Sequence, residues 1–153
     1  MAHRRTELRF TNYRDIIHDI ERLQESGYEM TGKWNLGQIC RHLSFYWKGS
    51  LDGFTVQLPW IIRATLGRLI LKSSLKETIR KPGGQTAPQS VFAAEPDDRE
   101  AVAEAIALLQ RLDQNTAKLH PSALFGEVTN DQWKTLHCNH AGHHLSFLAP
   151  KGS

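Results

Sequence analysis

The sequence lacks the features that would place the chain in a membrane, in the secretory route or in a disulfide-rich scaffold. It contains no run of roughly 18 or more apolar residues, so no transmembrane helix is expected. The first ten residues, MAHRRTELRF, are basic but have no apolar core after them, which argues against a secretory signal. Only two cysteines occur, Cys40 and Cys138, too few for a disulfide framework. We therefore expect a cytoplasmic protein with reduced thiols and no membrane partner.

The charge balance is only weakly basic. A formal net charge of +3 and a pI near 9.0 do not indicate a nucleic-acid partner. The densest basic stretch runs from residue 63 to 81, where lysines and arginines alternate with apolar residues at helical spacing. We interpret it as a solvated helix face, and contact with a membrane surface or an anionic ligand is the alternative.

The apolar residues repeat with a helical period almost throughout, and no convincing alternating strand is present. Caps, glycines and prolines set the expected helix boundaries. The predicted helices run from Thr11 or Asn12 to Gly27, from Asn35 to between Gly49 and Gly53, from about Pro59 to Leu75, from Asp97 or Asp98 onward, and from Thr129 or Asn130 to about Leu148. An irregular stretch of residues 81–96 separates the third and fourth helices. The sequence predicts one all-α domain over residues 1–153, a bundle with long crossover connections.

Four of the eight histidines lie in one predicted helix, in the segment LHCNHAGHHL of residues 136–145. His140 and His144 are four residues apart, so both rings project from one helix face and can reach one metal ion. His42 lies on the apolar face of the second predicted helix, and a buried histidine needs partners for its ring nitrogens. Facing helices of a bundle can supply such ligands together. A satisfied core histidine and a chance HxxxH pair are the alternative interpretation.

The other polar candidates fit the same centre less well. His137 is on the stripe of His140 and His144, but the rise to His144 is ~10.5 Å, so one metal cannot take both. It remains a candidate general base or hydrogen-bond donor beside the site. His143 points about 100° away from His144. Gln38 is one turn before His42 and is either the capping partner of Asn35 or a residue that orients His42.

The remaining histidines and the cysteines receive no role in the chemistry. We expect His3, His18 and His120 at the surface or in loops. Cys40 and Cys138 are two residues from His42 and His140, about 200° around the helix, so we expect them to be small buried side chains. Five aromatic residues are large enough to shape a pocket, without a binding role assigned to any: Trp34, Tyr46, Trp47, Trp60 and Trp133.

Two segments resemble the DinB/YfiT-like superfamily of helical metalloenzymes: GKWNLGQICRHL at residues 32–43 and WKTLHCNHAGHHLSFL at residues 133–148. The basic stretch from Arg4 to Phe10 is similar too, whereas residues from about 58 to 96 carry no matching motif. The resemblance implies a four-helix bundle and a divalent metal, usually nickel or zinc, on three histidines. Position by position, those histidines fall on His42, His140 and His144.

Three histidine ligands leave at least one coordination position open, which favours a metal-dependent enzyme acting on a small molecule. The reaction would be hydrolysis or transfer to or from a low-molecular-weight thiol. Thiol-dependent relatives carry thiol-binding residues that are not identifiable here, and the absence of an HExxH motif argues against a metalloprotease. The competing hypothesis is a non-catalytic bundle that binds a ligand or partner and uses the histidines structurally. A homodimer formed through a pair of helices is compatible with either.

Overall fold

Four long helices form the core of the molecule. The computed structural model of the chain describes residues 2–76 and 86–152. Within these residues the long helices are α1 (Tyr13–Ser26), α2 (Leu36–Asp52), α5 (Arg99–Gln114) and α6 (Asn130–Leu145), and the short ones are α3 (Trp60–Ala64) and α4 (Leu66–Ser74). A 3-10 turn at Pro88–Ser90 precedes α5. The prediction of a mostly helical chain is confirmed.

The starts of three of the four long helices follow capping signals in the sequence, whereas the N-cap residue of α5, Asp98, makes no capping hydrogen bond with its side chain. The side chain of Asn12 accepts a hydrogen bond from the Asp15 N–H and caps α1. Asn35 and Gln38 form a reciprocal capping box at the start of α2, with N···O distances of 2.8 and 3.0 Å. Thr129 opens α6 in the same way. These side chains satisfy N–H groups that a helix leaves unpaired, which is why a local pattern locates the helix starts.

The core lies where the long helices meet. Both α1 and α2 pack against α5 and against α6. The buried apolar side chains of all four form one continuous cluster. Its largest fully buried members are Trp47, Ile16, Ile20, Leu23, Leu36, Ile39, Leu43, Leu109, Leu145 and Leu148. Because α2 packs on α6, the two helices that carry the candidate histidines face each other.

A short antiparallel sheet joins the ends of α1 and α6. Its strands are β1 (Tyr28–Met30) and β2 (Leu148–Pro150), with Tyr28 opposite Pro150 and Met30 opposite Leu148. The prediction that the chain has no strands was therefore wrong here, and the last helix ends at Leu145 rather than near Leu148. Strands of three residues are too short to give an alternating pattern in the sequence.

The predicted third helix is broken in two at Thr65, whose φ of −112° and ψ of −89° leave the helical region. Its apolar stripe is not core, because Leu66 and Leu69 are 54% and 70% exposed. The residues of α4 that face inward are Gly67, Leu71 and Ser74. No helix among the described residues is long and apolar enough to cross a bilayer.

The basic stretch and the irregular stretch each extend into the part of the chain that is not described. Of the basic stretch, Arg68, Lys72 and Lys76 are exposed, and its residues 77–81 lie outside the described residues. Of the irregular stretch, residues 81–85 lie outside them, and the rest runs along α2. There the Gln38 Nε2–H donates to the Phe92 carbonyl at 2.9 Å. This segment therefore covers the start of α2, where His42 lies.

The N-terminal segment is held to α1 and α6 by Arg5. The Arg5 guanidinium forms two hydrogen bonds to the Asp19 carboxylate, at 2.6 and 2.8 Å, and donates to the Leu145 carbonyl at 2.9 Å. Asp19 is only 9% exposed, and the Arg5 guanidinium is the counter-charge of this buried carboxylate. The Arg5 N–H also donates to the Ser146 carbonyl at 2.9 Å. The segment thus secures the C-terminal end of α6.

Replacing Gly67 with alanine is expected to lower the free energy of unfolding by about 1–3 kcal/mol. A Cβ at Gly67 would overlap the backbone carbonyl oxygen of Leu124, so α4 would have to move away from that loop. Gly142→Ala is the matched control, because its Cβ would meet nothing closer than 3.7 Å and helix propensity favours alanine. Urea denaturation of both variants tests the expectation. Equal stability of Gly67→Ala and wild type would contradict the close packing of α4.

Candidate metal centre

Three histidines bring their Nε2 atoms together between α2 and α6. His140 Nε2 lies 3.0 Å from His42 Nε2 and 3.1 Å from His144 Nε2. The three ligand atoms lie within 4.8 Å of one another. His42 is 2% exposed, while His140 and His144 are half-buried, so the group is not sealed inside the core. The three histidines selected from the sequence therefore lie together in the structure. Their ring nitrogens could hold a metal ion.

The tautomer of His42 is fixed by the backbone. Its Nδ1 lies 2.8 Å from the Ser90 carbonyl oxygen, which can only accept, so Nδ1–H is the donor. A neutral ring protonated on Nδ1 has a lone pair on Nε2, the atom that faces His140. Ser90 comes from the 3-10 turn before α5. A carbonyl that holds the outer nitrogen of a ligand histidine orients the ring and raises its basicity as a ligand.

Burial keeps these rings neutral. Burial lowers the pKa of His42, although its hydrogen bond to Ser90 opposes the effect. Burial lowers the pKa of His140 and His144 well below the ordinary value, and the neighbouring imidazoles lower it further. Neutral imidazoles are the form that binds a divalent metal. A single proton on His140 Nε2 could be shared with only one of its two neighbours, whereas a cation could satisfy all three nitrogens.

Two aromatic residues enclose the histidines. The Trp34 indole stacks on the His144 ring with centroids 5.4 Å apart and planes 13° apart. Tyr46 meets the edges of His140 and His42 at centroid distances of 4.9 and 5.2 Å. Neither residue was assigned a role from the sequence, and Ser90 was not selected from it. Trp34 and Tyr46 lie 8 residues before and 4 residues after His42 in the chain, and only the i+4 spacing of Tyr46 on α2 was a usable signal.

The other sequence candidates lie around the group without joining it. His137 is 2% exposed, stacks on Trp133 and has its Nδ1 3.1 Å from the Tyr13 hydroxyl. His143 Nδ1 lies 3.3 Å from an Arg4 guanidinium nitrogen. Gln38 serves the capping box and the Phe92 carbonyl. The prediction of Gln38 as a capping residue is therefore confirmed, and these contacts use both ends of its amide.

The cysteines and the outlying histidines lie where the sequence placed them. Cys40 and Cys138 are free and buried. Burial raises the pKa of both cysteine thiols, that of Cys138 to about 11. Both side chains therefore remain thiols rather than thiolates at neutral pH. His3, His18 and His120 are exposed.

A cavity of about 260 Å³ adjoins the histidines on the side of His140. α4, the loop around Leu124 and α6 form its walls, with Tyr46 of α2 and Phe54. The loop is fixed by a hydrogen bond from the Leu58 N–H to the Ala123 carbonyl and by Arg68 donating to the Glu127 carbonyl at 2.7 Å. The site therefore combines three convergent nitrogens with an adjacent space for a small molecule.

Comparison with known proteins finds a family match. The model of the DUF1569 family, described as a protein of unknown function, matches residues 2–151. No curated protein and no solved structure matches the chain significantly. The family match spans both the N-terminal segment and the helices that carry the three histidines. Because it covers nearly the whole chain, the chain belongs to the DUF1569 family.

Proposed function

We propose that the chain is a metal-dependent enzyme that binds one divalent metal ion, nickel or zinc, through His42, His140 and His144. The observation that carries the proposal is the convergence of three neutral Nε2 atoms, two of the distances being 3.0 and 3.1 Å. Neutral imidazoles suit nickel and zinc, and within the described part of the chain no carboxylate belongs to the group. The pairing of one histidine on α2 with two on α6 supports a relation to the DinB/YfiT-like bundles.

We propose hydrolysis of a small molecule as the reaction, with transfer involving a low-molecular-weight thiol as the second possibility. A divalent metal on three ligands supplies Lewis-acid chemistry and an open position at which a nucleophile can be activated. The chain's own residues hold that centre: Ser90 fixes His42, and Trp34 fixes the plane of His144. The adjoining cavity supports a small-molecule substrate.

His137 is better suited to position a substrate than to remove a proton. Burial lowers the pKa of His137 to about 3, so it is a weak base at neutral pH. It lines the cavity together with His140. Of the two roles that the sequence leaves open for His137, we therefore favour hydrogen-bond donor over general base.

Elemental analysis of protein purified without an affinity tag tests the metal site. After exposure to zinc or nickel and gel filtration, wild type is expected to retain about one ion per chain. His42→Ala, His140→Ala and His144→Ala should each lose it, because two imidazoles seldom hold a divalent ion through gel filtration. His18→Ala is the matched control, since His18 is exposed on α1. Metal that is absent from wild type, or that survives all three substitutions, would favour the non-catalytic bundle.

Catalysis needs a separate measurement. Cobalt-loaded protein should change its visible spectrum when azide is added, because an open position lets a small anion bind the ion. Hydrolysis of aryl esters, with and without an added thiol, should then depend on bound metal and fall to background in His140→Ala. An unchanged spectrum with azide would mean a closed, structural site.

A further inference from the structure

The cavity beside the histidines has the size and lining of a binding site for a small apolar molecule. Its volume of about 260 Å³ exceeds the roughly 150 Å³ that accommodates a benzene ring in a protein core. Most of the wall is apolar, and the lining contains no lysine, arginine, aspartate or glutamate among the described residues. Its apolar members are Phe54, Ile70, Ala123, Leu124, Phe125, Trp133 and Leu136. A charged ligand body would lose its hydration there without gaining a counter-charge.

His137 in this wall has one ring nitrogen without a hydrogen-bond partner among the described residues. His137 lines the cavity, is 2% exposed, and its Nε2 forms no hydrogen bond. The Tyr13 hydroxyl is the only group that contacts its Nδ1 among the described hydrogen bonds. If that hydroxyl donates to Nδ1, the ring proton sits on Nε2 and only one donor stays unpaired. The opposite arrangement would leave both the Tyr13 proton and His137 Nε2 unpaired, which costs more.

Because the Nε2 atom is itself buried, a ligand acceptor in the cavity would reach it through a small shift of the His137 side chain. A buried donor without a partner destabilises the fold, and a hydrogen bond to a ligand carbonyl would offset that loss. His140 belongs both to the cavity wall and to the three-histidine group. A molecule that fills the cavity is thus in reach of the metal centre.

We propose that the substrate of the metal centre is a small neutral molecule with an apolar body about the size of one or two rings and a carbonyl or similar acceptor bound by His137. The cavity holds the body, and the Nε2–H of His137 orients the acceptor. Calling this molecule a substrate rests on the proposed function. Its binding in the cavity does not, and can be measured without metal.

The test compares acetophenone with ethylbenzene, which has nearly the same shape but no acceptor. Their dissociation constants are measured by ligand-observed NMR on wild type, Ala123→Phe and His137→Phe. Ala123→Phe reduces the space in the cavity and should weaken both ligands about tenfold or more. His137→Phe keeps a ring but removes the N–H, and should weaken acetophenone about fivefold relative to ethylbenzene. Ala103→Phe is the control, since Ala103 is exposed on α5, and should change neither constant.

The outcomes separate this inference from the proposed function. Binding that is lost in Ala123→Phe, with the acetophenone-specific loss in His137→Phe, supports the inference whether or not metal is retained. No binding to a protein that retains one metal ion per chain would overturn the inference and leave the metal centre standing. Equal weakening of both ligands by His137→Phe would overturn the role of the acceptor. Should His137→Phe not fold, the Ala123→Phe and Ala103→Phe pair still decides where the ligands bind.

Discussion

Acidification from pH 7 to pH 5 is expected to destabilise the metal-free protein by more than about 2 kcal/mol. The reason is the neutral histidines in the interior. Burial lowers the pKa of His137 from 6.5 to about 3 in the folded chain. Below pH 6.5 the unfolded chain therefore binds a proton at His137 that the folded chain does not bind. The stabilisation present above pH 6.5 is lost as the pH falls toward 3.

His137 alone accounts for about 2 kcal/mol between pH 6.5 and 5, at about 1.4 kcal/mol per pH unit. His140 and His144 act in the same direction, because their pKa values are also lowered well below the ordinary value. Urea denaturation at pH 7, 6 and 5 in the presence of a chelator measures the loss. His137→Phe should reduce the pH dependence by about 2 kcal/mol, whereas His18→Asn should leave it unchanged. A stability independent of pH in this range would contradict the burial of neutral imidazoles.

Arg5→Ala is expected to lower the free energy of unfolding by about 3 kcal/mol. The substitution leaves the Asp19 carboxylate, 9% exposed, without the two hydrogen bonds of 2.6 and 2.8 Å that balance its charge. It also removes the donor to the Leu145 carbonyl at the end of α6. Since His144 precedes that residue, retention of metal should weaken along with the fold.

Two further variants identify the cause of this loss. Arg14→Ala breaks an ion pair to Asp113 in which the arginine side chain is 76% exposed, and should cost less than about 1 kcal/mol. Arg5→Ala combined with Asp19→Asn should recover part of the loss, because the unpaired buried charge is gone. Urea denaturation at pH 7 compares all of these variants. A loss of equal size for Arg5→Ala and Arg14→Ala would mean that burial of the pair is unimportant.

The long helices could be read from the sequence because their signals are local. Asn12, Asn35 and Thr129 satisfy N–H groups within their own first turn, so the residues at each start suffice to locate it. The same kind of local pattern gave a wrong prediction for the segment from Pro59 to Leu75, which forms two short helices rather than one. Its apolar residues repeat at helical spacing, yet Leu66 and Leu69 remain exposed, because contact with the Leu124 carbonyl is made through Gly67.

The three-histidine group was also predictable, for a related reason. The i, i+4 spacing of His140 and His144 puts their rings on one face whatever the rest of the fold does. His42 could be added because a histidine on an apolar helix face needs a buried partner. The surrounding residues gave no such signal: Ser90 acts through a backbone carbonyl, which every residue possesses, and it is 48 positions away from His42.

Local sequence patterns were enough to predict the helical class, most helix starts and which histidines can share one ion, since each of these depends mainly on spacing within a few residues. Packing between distant segments set what surrounds them: the carbonyl that sets the tautomer of His42, the tryptophan that stacks on His144, and the cavity lined by His137, whose Nε2 has no hydrogen-bond partner in the described part of the chain. Those features arise where chain segments distant in sequence come together. Their contacts depend on how the segments pack together, and no repeating pattern within a single segment predicts that packing.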